Sequence, residues 1–327
     1  MVSVYGWVAD YSGCGYYRIV GPMTAAREHG VDTQWGHILK PADHRDTDVI
    51  VGQRVCLPGP SHIWQELAAS GRHKMVYELD DDLFDIPPSN ERAFNFYMKP
   101  GIQENIRRNI DVADEVIVST PRLAEVVSQL NDQVHVVPNY VPAWLLDWER
   151  PRTEHLTLGW AGSMSHAMDF EEIGPQIARL MKQLPHLHYH AIGGMFPSYE
   201  RRMPKDRTRV TTWVPTVQEY YQKVDFDIGL APLRPHLFNR SKSHIKALEY
   251  AALGIPVVAS NVGPYSTFVL DGETGFLSDT PHQFIARSRQ LIADDDDREW
   301  MGRQAREYAR GYTIEGHVHE HIDVWKG

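Results

Sequence analysis

Phe238-Asn239-Arg240-Ser241-Lys242-Ser243-His244-Ile245-Lys246-Ala247-Leu248-Glu249-Tyr250-Ala251-Ala252-Leu253-Gly254-Ile255-Pro256-Val257-Val258-Ala259-Ser260 reads as a loop, a helix and a buried strand in direct succession. On a 3.6-residue period Ile245, Leu248 and Ala252 form one apolar stripe, which predicts a helix over 243–253. Ser241 or Ser243 is expected to cap it, and Gly254-Ile255-Pro256 ends it. The apolar run Pro256–Ser260 then reads as a strand covered on both faces. Lys242, Lys246 and Glu249 fall on a neighbouring stripe of the helix, at spacings of four and three. A helix start carries unpaired backbone N–H groups and a partial positive charge, and here Arg240 and Lys242 stand beside it. The expectation is an anion site suited to a phosphate or diphosphate. Glu249, further along the helix, is placed to accept hydrogen bonds from a neutral diol such as a ribose. The competing reading of Lys246 and Glu249 is an exposed ion pair, worth less than about 1 kcal/mol.

The alternation extends in both directions. Leu156–Trp160, Leu187–Ile192, Val210–Thr212 and Ile228–Ala231 read as strands, with helices over 169–183, 216–223 and 281–293. In the first half Val2–Val8, Asp48–Gly52, Met75–Leu79, Glu115–Ser119 and Val134–Val137 are expected strands. A helix over 16–29 carries Ile19, Met23 and Ala26 on one face and stops at Gly30. Short apolar strands separated by helices predict an α/β protein with parallel sheets covered on both faces. Pro138–Pro142 and the residues up to Pro151 lack a period and read as a linker. The expected layout is a first domain over 1–140, a linker over 141–152, a second domain over 153–305 and a C-terminal helix over 306–327 that packs back toward the first domain. A ligand cleft is expected at the carboxyl ends of the strands.

The chain has 327 residues, 42 % of them hydrophobic and 23 % charged, which suits a soluble globular protein of about two domains. Apolar runs such as Ile255–Val258 are far shorter than the roughly 20 residues of a membrane span. Met1–Gly6 carries no charged leader followed by an apolar stretch, so the expectation is a cytoplasmic protein. Cys14 and Cys56 lack metal-like spacing and read as free thiols. A net charge of −10 provides no global basic field for nucleic acid or an anionic bilayer. The local run Arg201–Arg209 reads as a solvated loop, and Asp294–Asp297 as an exposed acidic turn. His186, His188 and His190 alternate along an expected strand, but no Cys or carboxylate stands at a matching spacing, so no metal site is expected.

The stretch Lys246–Ser260, followed by Gly263 and by Asp271-Gly272-Glu273-Thr274-Gly275-Phe276-Leu277, resembles the donor-binding block of retaining GT-B glycosyltransferases. That pattern is an acidic residue before a small-residue helix, then G-x-P-V-V-A-S, a glycine turn and a D-G-x-x-G-F-L hairpin. Leu158–Ser163 resembles the family's glycine turn after the first donor-domain strand. Thr212-Trp213-Val214-Pro215, with Tyr220 and Asp225, resembles its nucleobase loop and following helix. Gly13-Cys14-Gly15 resembles its N-terminal glycine loop, and Asp111–Thr120 one of its strands. Two departures stand out. The first glutamate of the family's E-x7-E pair falls on Ser241. The family's Arg and Lys after the first donor-domain strand are replaced within Ser163–Met168.

The resemblance implies two Rossmann-like domains facing a central cleft, the first holding an acceptor and the second a nucleotide-sugar donor, a UDP- or GDP-sugar. It implies transfer with retention of configuration and without a required metal. The donor-binding residues would be Gly13, Gly15, Gly162, Ser163, Trp213, Val214, Arg240, Ser241, Lys242, Ser243, Lys246 and Glu249. The charge that develops on the leaving diphosphate would be met by Arg240 and Lys242, with Lys246 and His166 assisting. Asp80, Asp81 and Asp82 end a first-domain strand, where one carboxylate can accept a hydrogen bond from the attacking hydroxyl. The same aspartates are also readable as a magnesium site or as a helix cap. The acceptor is a glycan, a lipid-linked sugar, a protein or a base in DNA. The acidic total argues against DNA, and peripheral membrane contact is compatible with the local basic patches. Two rival functions share this architecture: a nucleotide-sugar epimerase, which would act on the donor without any acceptor, and a non-catalytic nucleotide-sugar binder.

Overall fold

The computed structural model describes residues 2–327. The described residues divide into two compact units: those up to Pro142 with Ser241–Ser243 and Thr313–Gly327, and Ala143–Arg240 with His244–Tyr312.

The first unit is built on six parallel strands: β1 (Ser3–Trp7), β2 (Asp32–Gly36), β3 (Val49–Gln53), β4 (Lys74–Leu79), β5 (Glu115–Val118) and β6 (Val134–Val136), in the order β2-β1-β3-β4-β5-β6. β3 and β4 are buried along nearly their whole length, because helices cover both faces of a parallel sheet. β2 is absent from the sequence expectation. Its Asp-Thr-Gln-Trp-Gly composition carries no apolar run, since it is an edge strand with exposed positions. The helix expected over 16–29 is continuous but changes pitch, with a π-helical turn at Tyr16–Val20, an α-helix at Gly21–Ala26 and a 3-10 turn at Arg27–His29. Gly30 ends it in the left-handed region. The wide turn turns Arg18 into the core, where its side chain is fully buried. Arg18 donates to Glu78 Oε1 at 2.5 Å, to the Val137 carbonyl at 2.6 Å and to Asn139 Oδ1 at 3.0 Å.

The second unit has β7 (Thr157–Ala161), β8 (His188–Ile192), β9 (Thr208–Thr211), β10 (Ile228–Ala231), β11 (Val257–Ser260) and β12 (Gly275–Ser278), all parallel, in the order β12-β11-β10-β7-β8-β9. Strand order reverses beside β7, between β10 and β8. That reversal opens a crevice at the carboxyl ends of β7 and β10, where doubly wound folds hold ligands. The core under this sheet is aromatic: Trp160, Phe170, Phe196 and Tyr199 pack with ring centroids 5.0–5.5 Å apart in four of their pairs.

Several sequence expectations are corrected here. The segment expected as a hairpin around Gly275 is a turn leading into β12, which pairs parallel to β11. Asp294–Asp297 is no turn: Asp294 caps the helix Asp295–Ala309 by accepting from the Asp297 N–H, and the next three aspartates fill its first turn, where the helix dipole favours negative charge. That helix runs through residue 305, and a second helix, Ile314–Lys326, follows in the first unit. The basic run is only partly solvated. Arg207 Nη1 donates to the carbonyls of Met181, Leu184 and Leu187 at 2.9–3.0 Å, tying down the end of the helix Ile173–Gln183.

Candidate functional site

In the second unit the site begins at Gly162, one residue beyond β7. Its N–H still bonds to the Ile192 carbonyl at 3.0 Å, so the turn is held to the sheet. A side chain here would meet the Trp160 ring at 2.8 Å and Lys246 Nζ at 2.9 Å, so only glycine lets the lysine approach. Lys246 donates to the Ala161 carbonyl and stands 5.7 Å from the centroid of the Trp160 ring, within cation–π range. Three residues along the same helix, Glu249 is buried and accepts from the Tyr220 hydroxyl at 3.0 Å. Burial, reinforced by the Glu249 carboxylate, pushes the Tyr220 phenol well above its ordinary value, so it remains a protonated donor. Glu249 is buried, so the two do not stand as a solvated surface pair. Lys246 also holds the Ala161 carbonyl, and Glu249 the Tyr220 hydroxyl.

The loop after β7 has a second anchor that the sequence reading missed. His166 Nδ1 lies 2.8 Å from Asp169 Oδ2, and Asp169 Oδ1 accepts from the Arg234 N–H and from Asn239 Nδ2, each at 2.8 Å. One buried carboxylate thus ties the loop after β7 to the loop after β10, across the switch point. The three-residue spacing of His166 and Asp169 was the available signal. Ser163 is exposed and shares a hydrogen bond of 2.5 Å with Ser165. Trp213 is 55 % exposed beside the half-buried Val214, in the loop after β9.

The helix start differs from expectation. The helix is Ile245–Ala252 and its N-cap is His244, so neither serine caps it. Ser241 instead accepts at its carbonyl from Thr120 Oγ1 at 2.9 Å, and Ser243 Oγ accepts from Asn139 Nδ2 at 2.8 Å, both within the first unit. Lys242 precedes the helix and is off its stripe, and Arg240 is an exposed residue ending the short helix Leu237–Arg240. The His244 ring stacks on Phe268 at 4.5 Å, and its Nε2 is shielded with no hydrogen-bond partner. Burial pushes this imidazole down to about 4. The unfolded chain takes up a proton below its ordinary value of 6.5, while the fold resists until about 4, so stability is lost as pH falls through that window. Between pH 7 and 5 the loss from this residue is expected to be about 2 kcal/mol, at 1.36 kcal/mol per unit. Urea unfolding of wild type and His244→Phe at both pH values checks it: the pH difference shrinks in the variant.

In the first unit the three aspartates separate. Asp80 is buried, its carbonyl accepts from Ser119 Oγ at 2.8 Å, and its carboxylate lies 3.9 Å from Arg54 Nε. Asp81 is half-buried and faces Lys242 Nζ at 3.6 Å. Asp82 turns back to accept from the Phe84 N–H at 3.0 Å, and burial pushes its carboxyl up. The cluster is therefore not one convergent group, and Asp81 is the member held by a lysine. Arg54, also missed by sequence reading, sits in the left-handed region at φ 49° and reaches Asp10 as well as Asp80. Asp10 in turn holds the glycine loop: its Oδ1 accepts from the Ser12 N–H at 2.9 Å and the Gly15 N–H at 3.4 Å. A Cβ on Gly15 would fall 1.6 Å from the Asp10 carbonyl oxygen, so that position admits glycine alone, while Gly13 starts the helical turn beside it.

The expected histidine alternation does not converge. His188 stacks on His155 at 4.1 Å, whereas His190 is buried between Asp225 at 2.7 Å and Thr211 at 2.8 Å. Among the described residues, no helix is long and apolar enough to cross a membrane.

Two six-stranded parallel sheets, the second with its switch point at β7, define the GT-B class of fold. Residues 155–294, which contain the Gly162 turn and the Lys246–Glu249 helix, match the family described as Glycosyl transferases group 1. Sucrose-phosphate synthase from Thermosynechococcus elongatus has the same fold, with a TM-score of 0.71 over 100 % of this chain and 98 % of that one, at 14 % identity. Anabaena HepE, solved in complex with UDP-glucose, gives a TM-score of 0.69 over 99 % and 100 % of the two chains, at 12 % identity. D-inositol 3-phosphate glycosyltransferase of Corynebacterium glutamicum (strain R) is 40 % identical over 78 residues, 23 % of this chain. The match spans 18 % of that relative's length.

Proposed function

We propose that this protein is a glycosyltransferase that moves a sugar from a UDP-sugar to an acceptor hydroxyl, with retention of configuration. The observation that carries the reading is the group 1 match over 155–294, because that segment holds a lysine and a buried carboxylate on one helix beside the switch-point turn. The UDP-glucose bound by Anabaena HepE supports the choice of uridine nucleotide, and the name of the Corynebacterium relative supports a polyol-type hydroxyl as acceptor. In this reading the Gly162–Ser163 turn admits the diphosphate close to the backbone, Lys246 meets its charge and Glu249 accepts from the ribose diol. Trp213 and Val214 flank the base. Lys246, His166 and the exposed Arg240 replace the family's Arg and Lys in stabilising the leaving group. The first unit, with Asp81 and its Lys242 partner, receives the acceptor. The leaving diphosphate helps to remove the acceptor proton, so no strong protein base is required.

Calorimetry with UDP tests the donor assignment. Binding is expected to persist in EDTA and to weaken by about 10- to 100-fold in Glu249→Gln, the scale of losing a hydrogen bond to a charged group. The Gln variant keeps the shape that packs against Tyr220, so it stays folded. Unchanged UDP affinity in it would remove Glu249 from the site. Conversion of UDP-glucose to an isomerised nucleotide-sugar in the absence of any acceptor would replace transfer by epimerisation.

A further inference from the structure

The second unit carries another cavity, of about 740 Å³, away from the residues assigned to the donor. Gly254 and Pro256, which lead into β11, and Asp227, which leads into β10, line it, so it lies at the amino ends of those strands. The Gly162 turn lies at the carboxyl end of the same sheet, roughly 13 Å away for a four-residue strand at 3.3 Å per residue.

Arginine dominates the lining: Arg150, Arg152, Arg298, Arg303 and Arg306. Three of these have carboxylate partners, at 3.1 Å for Arg150 with Asp227, 2.6 Å for Arg298 with Asp295 and 3.7 Å for Arg303 with Glu299. Arg152 and Arg306 form no ion pair among the described residues. The Arg306 guanidinium makes one long hydrogen bond, 3.4 Å to the Trp148 carbonyl, and its Nε is buried without an acceptor. Burial, with the nearby Arg150, Arg310 and Arg152, pushes Arg306 below its ordinary value: these guanidinium groups repel one another. Five arginines stand against four carboxylates, the lining Glu149, Asp227 and Glu299 and the Asp295 partner of Arg298, so the cavity keeps an excess of positive charge on a chain whose net charge is −10. Such a concentration of like charge in a concave site raises the free energy of the empty cavity, and a bound anion relieves it.

We propose that this cavity binds a small molecule carrying a chain of three or more phosphates, longer than the diphosphate of UDP. Guanidinium groups present forked donors that match phosphate oxygens two at a time, and several of them converging favour a multiply charged ligand over a single anion. The volume falls within the roughly 300–1,000 Å³ of small-molecule sites, too small for a polymer to be enclosed.

Calorimetry with inorganic triphosphate, with UDP present at saturation to occupy the donor site, tests the assignment. Micromolar binding by the wild type is expected, weakened at least tenfold by Arg152→Glu and by Arg303→Glu. Both side chains are exposed, so folding is preserved, and UDP affinity stays unchanged in both variants. ATP titrated in parallel separates the sources: tighter binding than triphosphate assigns the site to a nucleotide, equal or weaker binding to the free phosphate chain, and either supports the proposal. Absence of triphosphate binding, binding insensitive to both substitutions, or equal affinity for citrate overturns it. Should UDP itself not bind, the same titration without UDP still decides through the two arginine variants, so failure of the donor reading and failure of this one remain distinct.

Discussion

Lys246→Ala is expected to slow sugar transfer and acceptor-free donor hydrolysis together, by about 100-fold or more, the scale for removing one charge aimed at a developing anion. Lys246 is chosen over Lys242 because the structure gives them different partners. Lys242 faces Asp81 at 3.6 Å in the first unit, whereas Lys246 is held against the turn after β7 by the Ala161 carbonyl and the Trp160 ring. Leaving-group departure is common to transfer and hydrolysis, so both rates should fall in proportion while donor KM changes by only a few fold. Asp81→Asn is expected to depress transfer alone, because water replaces the acceptor in hydrolysis. Equal depression of hydrolysis by the two variants would assign Asp81 to the donor or to the fold.

Arg18→Met is expected to destabilise the first unit by about 3–5 kcal/mol, because it strands Glu78 as an uncompensated buried charge. Both side chains are fully buried and 2.5 Å apart, and burial pushes Glu78 up to about 7 even against the pull of Arg18. Glu78→Gln should cost a similar amount by leaving Arg18 without its carboxylate. Joining Arg18→Met to Glu78→Leu is expected to recover most of the loss, since two packed apolar groups leave no charge behind. Urea unfolding at pH 8, where Glu78 is ionised, measures all three. Additive losses in the double variant would mean that the backbone and Asn139 contacts of Arg18, not its pairing with Glu78, hold this region together.

How far the fold was readable depended on whether burial leaves a pattern in the chain. Central strands such as Val49–Gln53 and Val257–Ser260 are covered on both faces, so their composition is continuously apolar and unmistakable. The edge strand Asp32–Gly36 is exposed at its first and third positions, and its Thr33 and Trp35 do not suffice as a signal. The residues proposed for the donor on the helix were legible because helical spacing puts Lys246 and Glu249 near one another. Their partners were not, since Ala161 and Tyr220 are 85 and 29 residues away and meet the helix only through the sheet. Arg54 illustrates the same limit: no period announces a residue at positive φ that reaches two aspartates from different loops. Conversely, Ser241 and Ser243 carried a strong local capping signal that long-range bonds to Thr120 and Asn139 override.

The helix Ile314–Lys326 belongs to the unit that begins at the other end of the chain, and this orders the events of synthesis. Its Val318, Ile322 and Trp325 are buried, and Ile314 fills the space over Gly21. On the ribosome the early sheet emerges first yet lacks this cover until Thr313–Gly327 appear, while the later unit has all of its own residues by Tyr312. Domains ordinarily mature in the order of their emergence. Here the half that starts first is the half that closes last, so a nascent chain stalled anywhere before Thr313 exposes the apolar face of its oldest segment.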